Sequence, residues 1–328
     1  VDEIDVSVVV SARDAEDTIR ATLDGLIGQL GAPPFEVIVV DNGSNDGTAE
    51  LVERHPLGPR TIRRRRGDGP GIARNEGAAV ARGKVLAFTD ADCAPSPRWI
   101  AEGASAARAA DIVQGCVLPE PGRAVGPYDR TLAVTSEYGM YETANLFVRR
   151  EWFERAGGFT DWVHFDDGHG RRLPVPDRPF GEDAWFAWRA RRLGARTSFS
   201  REALVHHAIF SGDVRTFVAE QARLRHFPAL VARIPELRDV FAWRRYFLNR
   251  RTAALDAAAL CVVASAAARS VIPLIGVAGY VFLLAKEVRR FRLRPRAAAG
   301  YALATLARDV VGCVALVRGS IEARSPLL

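Results

Sequence analysis

The first third of the chain alternates short β-branched runs with stretches whose apolar residues recur at helical spacing, a pattern that predicts crossover units of a mostly parallel sheet. Val6-Ser7-Val8-Val9-Val10 reads as a buried strand, and residues 15–29 carry Ile19, Leu23, Leu26 and Ile27 on one helical face. Val37-Ile38-Val39-Val40 is a second strand, followed by a turn and a short helix around 48–54. A helical stretch over 71–81 leads into a strand at Val85-Leu86-Ala87-Phe88, which ends at Thr89-Asp90-Ala91-Asp92. Helix, strand and helix then repeat more loosely to about residue 160. Residues 163–179 are polar and rich in Gly and Pro; loops of that length are usually functional, and this one is expected to fold over a ligand and exclude water. From 181 to 193 the helical pattern returns, and Ala203-Leu204-Val205 predicts a strand that delivers His206 and His207.

Beyond about residue 243 the pattern changes. Residues 257–285 are apolar except for Arg269, with Pro273 in the middle, and are flanked by Arg250-Arg251 and by Lys286, Arg289, Arg290, Arg292, Arg294 and Arg296. A second apolar stretch, 297–317, is interrupted by Arg308-Asp309. Each is near the length of about 20 residues that a spanning helix needs without clearing it cleanly. Buried core helices are the plainer reading, but the flanking arginines favour a membrane-associated helical region at 244–328 behind a domain at 1–243.

The charge distribution agrees. Residues 244–328 hold 14 Arg/Lys against 4 Asp/Glu, so the overall charge of +6 arises at the C-terminus and residues 1–243 carry −4. With 48% hydrophobic and 26% charged residues the chain is globular, and the location of its basicity argues against a nucleic-acid binder. Cys93, Cys116, Cys261 and Cys313 form no metal-ligand or disulfide spacing, and the acidic start lacks the flank of a signal peptide, which places the domain in the reducing cytoplasm.

In an open parallel sheet, ligands bind beyond the carboxyl ends of the strands. Three polar groups sit there: Ser11, Arg13 and Asp14 after the first strand; Asp41 and the turn Asn42–Thr48 after the second; Asp90-Ala91-Asp92 after a later one. Asp41 is placed to accept from a ribose or base, whereas Asn45, Asp46 and Gly47 read as turn and helix-cap chemistry. Two carboxylates separated by one residue at a strand end suit a divalent cation that also holds a diphosphate. Arg74 either reaches a phosphate or is an ordinary surface arginine, and Arg63–Arg66 reads as a solvated strand edge or loop. Glu182 and Asp183 open a helix, where acids are favoured by its dipole but where a carboxylate is also well placed as a general base. One of His206 and His207 would complete a metal site. No GxGxxG follows the first strand and there is no P-loop.

Together, VSVVVSARDAEDTI, EVIVVDNGSNDGT at 36–48, GIARNEGAAVARG at 71–83, VLAFTDADC at 85–93, ANLFVRREWFERAGGF at 144–159 and GEDAWFAWRARRLG at 181–194 resemble the family 2 glycosyltransferases, over about residues 4–210. The resemblance implies the α/β GT-A fold, a Rossmann-like nucleotide-binding sheet with helices on both faces. It implies a metal-dependent, inverting transfer of a sugar from a nucleotide-diphosphate sugar, a UDP-sugar by preference, to an acceptor hydroxyl, and the basic, apolar C-terminus suggests a lipid-linked or membrane-proximal acceptor. Asp41 would contact the base, with Ser11 and Arg13 nearby, Asp90 and Ala91 would lie by the ribose, and Arg74 beside the nucleotide. Asp92, with His206 or His207, would hold Mn2+ or Mg2+. Asp183 would be the base with Glu182 beside it, and Asn145 would face the sugar or acceptor. Ser11-Ala12-Arg13-Asp14 departs from the Pro and Tyr-Asn pair of many members. The expected workplace is the cytoplasmic face of the cell membrane. Two other classes compete: a nucleotidyltransferase of similar fold, and a non-catalytic membrane-associated homologue.

Overall fold

A computed structural model describes residues 3–67, 69–160 and 180–328. They form two compact units, one comprising residues up to 124 with 131–160 and 180–209, the other residues 125–130 and 210–328. The second unit's main segment begins at Phe210, and it also takes in residues 125–130. The loop at 163–179, with its expected lid and its His164, Asp166, Asp167 and His169, lies outside the described residues.

The first unit is built on an eight-stranded mixed sheet. Its strands are β1 (Val6–Ala12), β2 (Phe35–Asp41), β3 (Arg60–Arg63), β4 (Val85–Asp90), β5 (Cys93–Pro95), β6 (Ile112–Pro119), β7 (Asn145–Arg149) and β8 (Thr197–His207). Their order is β3-β2-β1-β4-β7-β6-β8-β5. β1 pairs in parallel with both β2 and β4, and Val6, Val8, Val9 and Val10 are fully buried. A strand covered on both faces has no polar side to alternate with, which is why it reads as an unbroken run.

β7 turns antiparallel between β4 and β6, and β8 runs parallel to β6. That last ladder is irregular: Gly115 pairs with Ser200 but Cys116 with Leu204, so Arg201, Glu202 and Ala203 are extra residues on β8. Beyond them, β8 pairs antiparallel with β5, placing Cys93 opposite His207 and Ala94 opposite His206.

The helices of this unit are α1 (Ile19–Ile27), α2 (Thr48–Arg54), α3 (Pro70–Val80), α4 (Trp99–Ala106), α5 (Arg150–Arg155) and α6 (Glu182–Arg192). α1 buries Ile19, Thr22, Leu23 and Leu26, the stripe expected of an amphipathic helix on a sheet. α3 packs unusually close: a Cβ on Gly77 would stand 2.5 Å from Val9 Cγ1 on β1. The small residues at 71–83 thus bring the helix down on the central strand.

The second unit is helical: α7 (Val214–Ala219), a 3-10 segment Glu220–His226, α8 (Phe227–Arg233), α9 (Leu237–Val240), α10 (Arg250–Ala268), a 3-10 segment Ile272–Val277, α11 (Ala278–Arg290) and α12 (Pro295–Ala323). α12 packs on the 3-10 segment Glu220–His226, with Gly312 against Leu224 and Gly319 against the backbone of Arg225. Arg225 also pairs with Glu322 at 2.7 Å. By length and composition alone α10 and α12 are candidate membrane spans, with 11% and 28% of their most apolar windows buried.

Gly77→Ala should force α3 away from β1 and cost about 1–3 kcal/mol of stability, the usual penalty of overpacking. A lowered urea midpoint at unchanged denaturant dependence would show it; an unchanged midpoint would mean that α3 is not held at this distance.

Candidate functional site

The pairing register brings the strand-end polar residues to one edge. Asp41 lies opposite Ala12, and Ser11 opposite Asp90. Asp41 is buried, and its Oδ1 accepts from the Ser44 backbone N–H at 3.0 Å, so the turn chemistry expected after β2 is fixed by Asp41 itself. Asn42, whose side chain bonds Gly69 O at 3.1 Å and accepts from Arg64 at 3.1 Å, ties this turn to the segment leading into α3. Arg13 is exposed and pairs with Asp14 at 3.6 Å; Ser11 is half-buried on the β1 edge.

Arg74 is not a surface arginine. It is 5% exposed, and its guanidinium bonds Asp90 at 2.7 Å through Nη2 and Glu182 at 3.5 Å through Nη1. Burial works against its charge, but Asp90 and Glu182 outweigh that and raise its pKa. Arg74 bridges β4 and the start of α6.

α6 begins at Gly181 in the left-handed region, φ 71°, which a side chain would disfavour. Asp183 follows in the first turn; its Oδ1 accepts from Ala184 N at 3.0 Å, and its Oδ2 from Thr143 N at 3.4 Å. Burial pushes the Asp183 carboxyl well above the usual carboxylate range, and the neighbouring Glu182 and Glu142 add to the rise while Arg74 opposes it. Glu142, which the sequence did not single out, is pushed up to about 7 by burial and accepts a bond from Tyr138. Arg74 thus pairs with Asp90 and Glu182 and also opposes the rise at Asp183.

On the other side of Asp90, Asp92 faces His207 at 3.5 Å and accepts from the Cys93 thiol at 3.6 Å. Potential ligand atoms of Asp92, Cys93 and His207 all lie within 4.8 Å of one another, the one such group among the described residues. Burial and the nearby Asp90 raise the Asp92 pKa, while His207 lowers it. His207 Nδ1 lies 2.7 Å from Ala208 O; a proton donated there leaves the Nε2 lone pair facing Asp92, the usual arrangement of a metal-ligating histidine. A carboxylate with an imidazole fits Mn2+ better than Mg2+, which prefers an all-oxygen shell.

His206 is not part of this group. Successive strand residues point to opposite faces, so His206 shares a face with Ala94, and its Nδ1 lies 3.4 Å from Pro119 O. Metal ligation is thus assigned away from His206 and toward His207.

Asn145 lies inside the sheet. It is fully buried and accepts from Trp99 Nε1 at 2.8 Å, while its Nδ2 donates to Cys116 O and Ala203 O at 2.7 Å each. Cys116 and Ala203 flank the irregularity in the β6–β8 ladder, so Asn145 satisfies carbonyls that the interrupted pairing leaves open.

Residues 7–160 match glycosyl transferase family 2. The chain is 30% identical over 208 residues to Glycosyltransferase AglE of Haloferax volcanii, covering 54% of this chain and 68% of AglE. It is 40% identical over 262 residues to Succinoglycan biosynthesis protein ExoO of Rhizobium meliloti, covering 75% and 70%. Among solved structures, the mannosyltransferase PcManGT from Pyrobaculum calidifontis in complex with GDP-Man and Mn2+ superposes with a TM-score of 0.57 at 20% identity, over 94% of this chain and 86% of that one. S. aureus TarS 1-349 in complex with UDP-GlcNAc gives 0.51 at 17% identity, over 98% and 93%. The sheet described above is the expected GT-A fold.

His207→Ala should weaken Mn2+ binding about tenfold or more in calorimetry, and His206→Ala should leave it unchanged. Equal losses from both would show that the alternation of β8 does not select the ligand.

Proposed function

Since this chain belongs to glycosyl transferase family 2 and is a glycosyltransferase, we propose that it moves a sugar from a nucleotide-diphosphate sugar to an acceptor hydroxyl with inversion. The observation that carries this reading is the meeting, at one edge of the sheet, of Asp90 and Asp92 with His207 on one side and of the buried Asp183 on the other. The solved relatives named above carry GDP-Man and UDP-GlcNAc, which supports a nucleotide-sugar donor here and leaves UDP- and GDP-sugars as the first to test.

In this reaction the acceptor oxygen bonds to the anomeric carbon as the bond from that carbon to the diphosphate oxygen breaks. Asp183, unprotonated, takes the proton of the acceptor hydroxyl. Arg74 holds Glu182 and Asp90 in place around it. Asp92 and His207 would hold Mn2+ or Mg2+. Such a cation supplies stabilisation of the charge on the departing diphosphate. Asp41 and the β1 edge at Ser11 and Arg13 are the surface for the nucleoside. Membership of the family displaces the nucleotidyltransferase alternative, whose product would be pyrophosphate or a nucleotidylated acceptor. ExoO is named for succinoglycan biosynthesis, which supports a glycan acceptor. The basic C-terminal region supports work at the cytoplasmic face of a membrane on an acceptor presented there, one carried on a lipid included.

Incubation with a panel of UDP- and GDP-sugars, with and without chelator, should release nucleoside diphosphate from one donor only in the presence of Mn2+ or Mg2+; release unaffected by chelator would remove the metal from the proposal. With that donor, Asp183→Asn should lower kcat by about 10²–10⁴-fold with little change in donor affinity. A rate within a few-fold of wild type would exclude Asp183 as the base.

Because the active form of Asp183 is the ionised one and its pKa is raised, kcat/KM should climb with pH along an acid limb lying above the usual carboxylate range. Glu142→Gln takes away one negative neighbour, so that limb should move to lower pH. A pH profile unmoved by Glu142→Gln would uncouple the two carboxyls.

A further inference from the structure

α10, the 3-10 segment Ile272–Val277 and α11 fold back on one another as a two-helix arm: Gly276 lies against Cys261, where a Cβ would come within 2.3 Å of Sγ, and Ser265 Oγ bonds Ser270 O. The base of the arm is anchored on α12 by polar pairs. Arg251 Nε and Tyr280 OH both bond Asp309, at 3.1 and 3.0 Å, and the Cys313 thiol donates to Asp256 at 3.0 Å. Beyond this base the arm is bare. α10 buries only Ala258 and α11 only Tyr280, whereas Leu260, Val263, Val271, Ile275 and Phe282 are 67–77% exposed. From 257 to 285 its single charged residue is Arg269.

An apolar surface of this extent does not stay in water. Charge says what covers it. The acids of the arm, Asp256 and Glu287, turn inward, to Cys313 and to Arg251 at 3.9 Å. Arg250, Lys286, Arg289 and Arg290 are exposed at the base, followed by Arg292, Arg294 and Arg296. An apolar arm rising from a basic collar matches hydrocarbon beneath anionic headgroups, and not another copy of the same positively charged collar. Length sets the depth. The twelve residues between Asp256 and Arg269 rise about 18 Å, short of the roughly 30 Å of hydrocarbon in a bilayer. Arg269, at the far end, has a side chain long enough to return its guanidinium toward the headgroups from an oblique arm.

We propose that this arm anchors the protein by inserting into one leaflet of an anionic bilayer without crossing it. The proposal rests on the membrane reading given above and specifies its element, lipid charge and depth.

Flotation of the full chain with vesicles tests it. Phosphatidylcholine vesicles containing phosphatidylglycerol should bind about tenfold or more tightly than phosphatidylcholine alone, and alkaline carbonate should release the protein. Ile275→Glu combined with Phe282→Glu should abolish flotation while nucleoside diphosphate release from the sugar nucleotide and the far-ultraviolet circular dichroism persist. The proposal is overturned by an active wild-type protein that does not float, by equal binding to both vesicles, by resistance to carbonate, or by a dimer that the double substitution dissolves without lipid binding. Flotation as expected with no turnover on any donor would count against the catalytic reading and leave the anchor standing.

Discussion

One buried cation organises the site. Arg74 has no water to share its charge, so Asp90 and Glu182 must stay within reach of it. That requirement joins the end of the fourth strand to the start of the sixth helix, two elements far apart in sequence. It also explains why α3 is built of small residues: only a helix pressed onto β1 carries its arginine deep enough. The same arginine holds Glu182 beside Asp183, whose carboxyl burial and the neighbouring Glu182 and Glu142 raise while Arg74 opposes the rise.

Much of this was legible in the order of apolar and polar residues. Buried parallel strands are continuous apolar runs, so their carboxyl ends are marked by the first acid that follows; Asp41 and Asp90 were found that way and the register places both on one edge. The start of α6 was equally plain, because acids followed by a helical apolar run announce a helix N-terminus.

What could not be read locally depended on long-range pairing. Whether His206 or His207 faces Asp92 follows from the register of β8 on β5, and adjacent residues carry no hint of it. The bonds of Asn145 to Cys116 and Ala203 reach an irregular ladder as much as 58 residues away, which nothing in its own segment announces. Glu142 was invisible because its environment comes from burial beside residues remote in sequence.

The three extra residues of β8 have a consequence for how such a site changes. Faces of a strand alternate by parity, and Arg201, Glu202 and Ala203 insert an odd number of residues ahead of the histidine pair. If the pairing downstream shifted with it, gain of a single residue in that segment would bring His206 to the place of His207, whereas loss of one would bring Ala208 there. The pair His206-His207 thus tolerates a one-residue lengthening, since an imidazole would still stand opposite Asp92, whereas a lone histidine at 207 would be carried to the other face of the sheet.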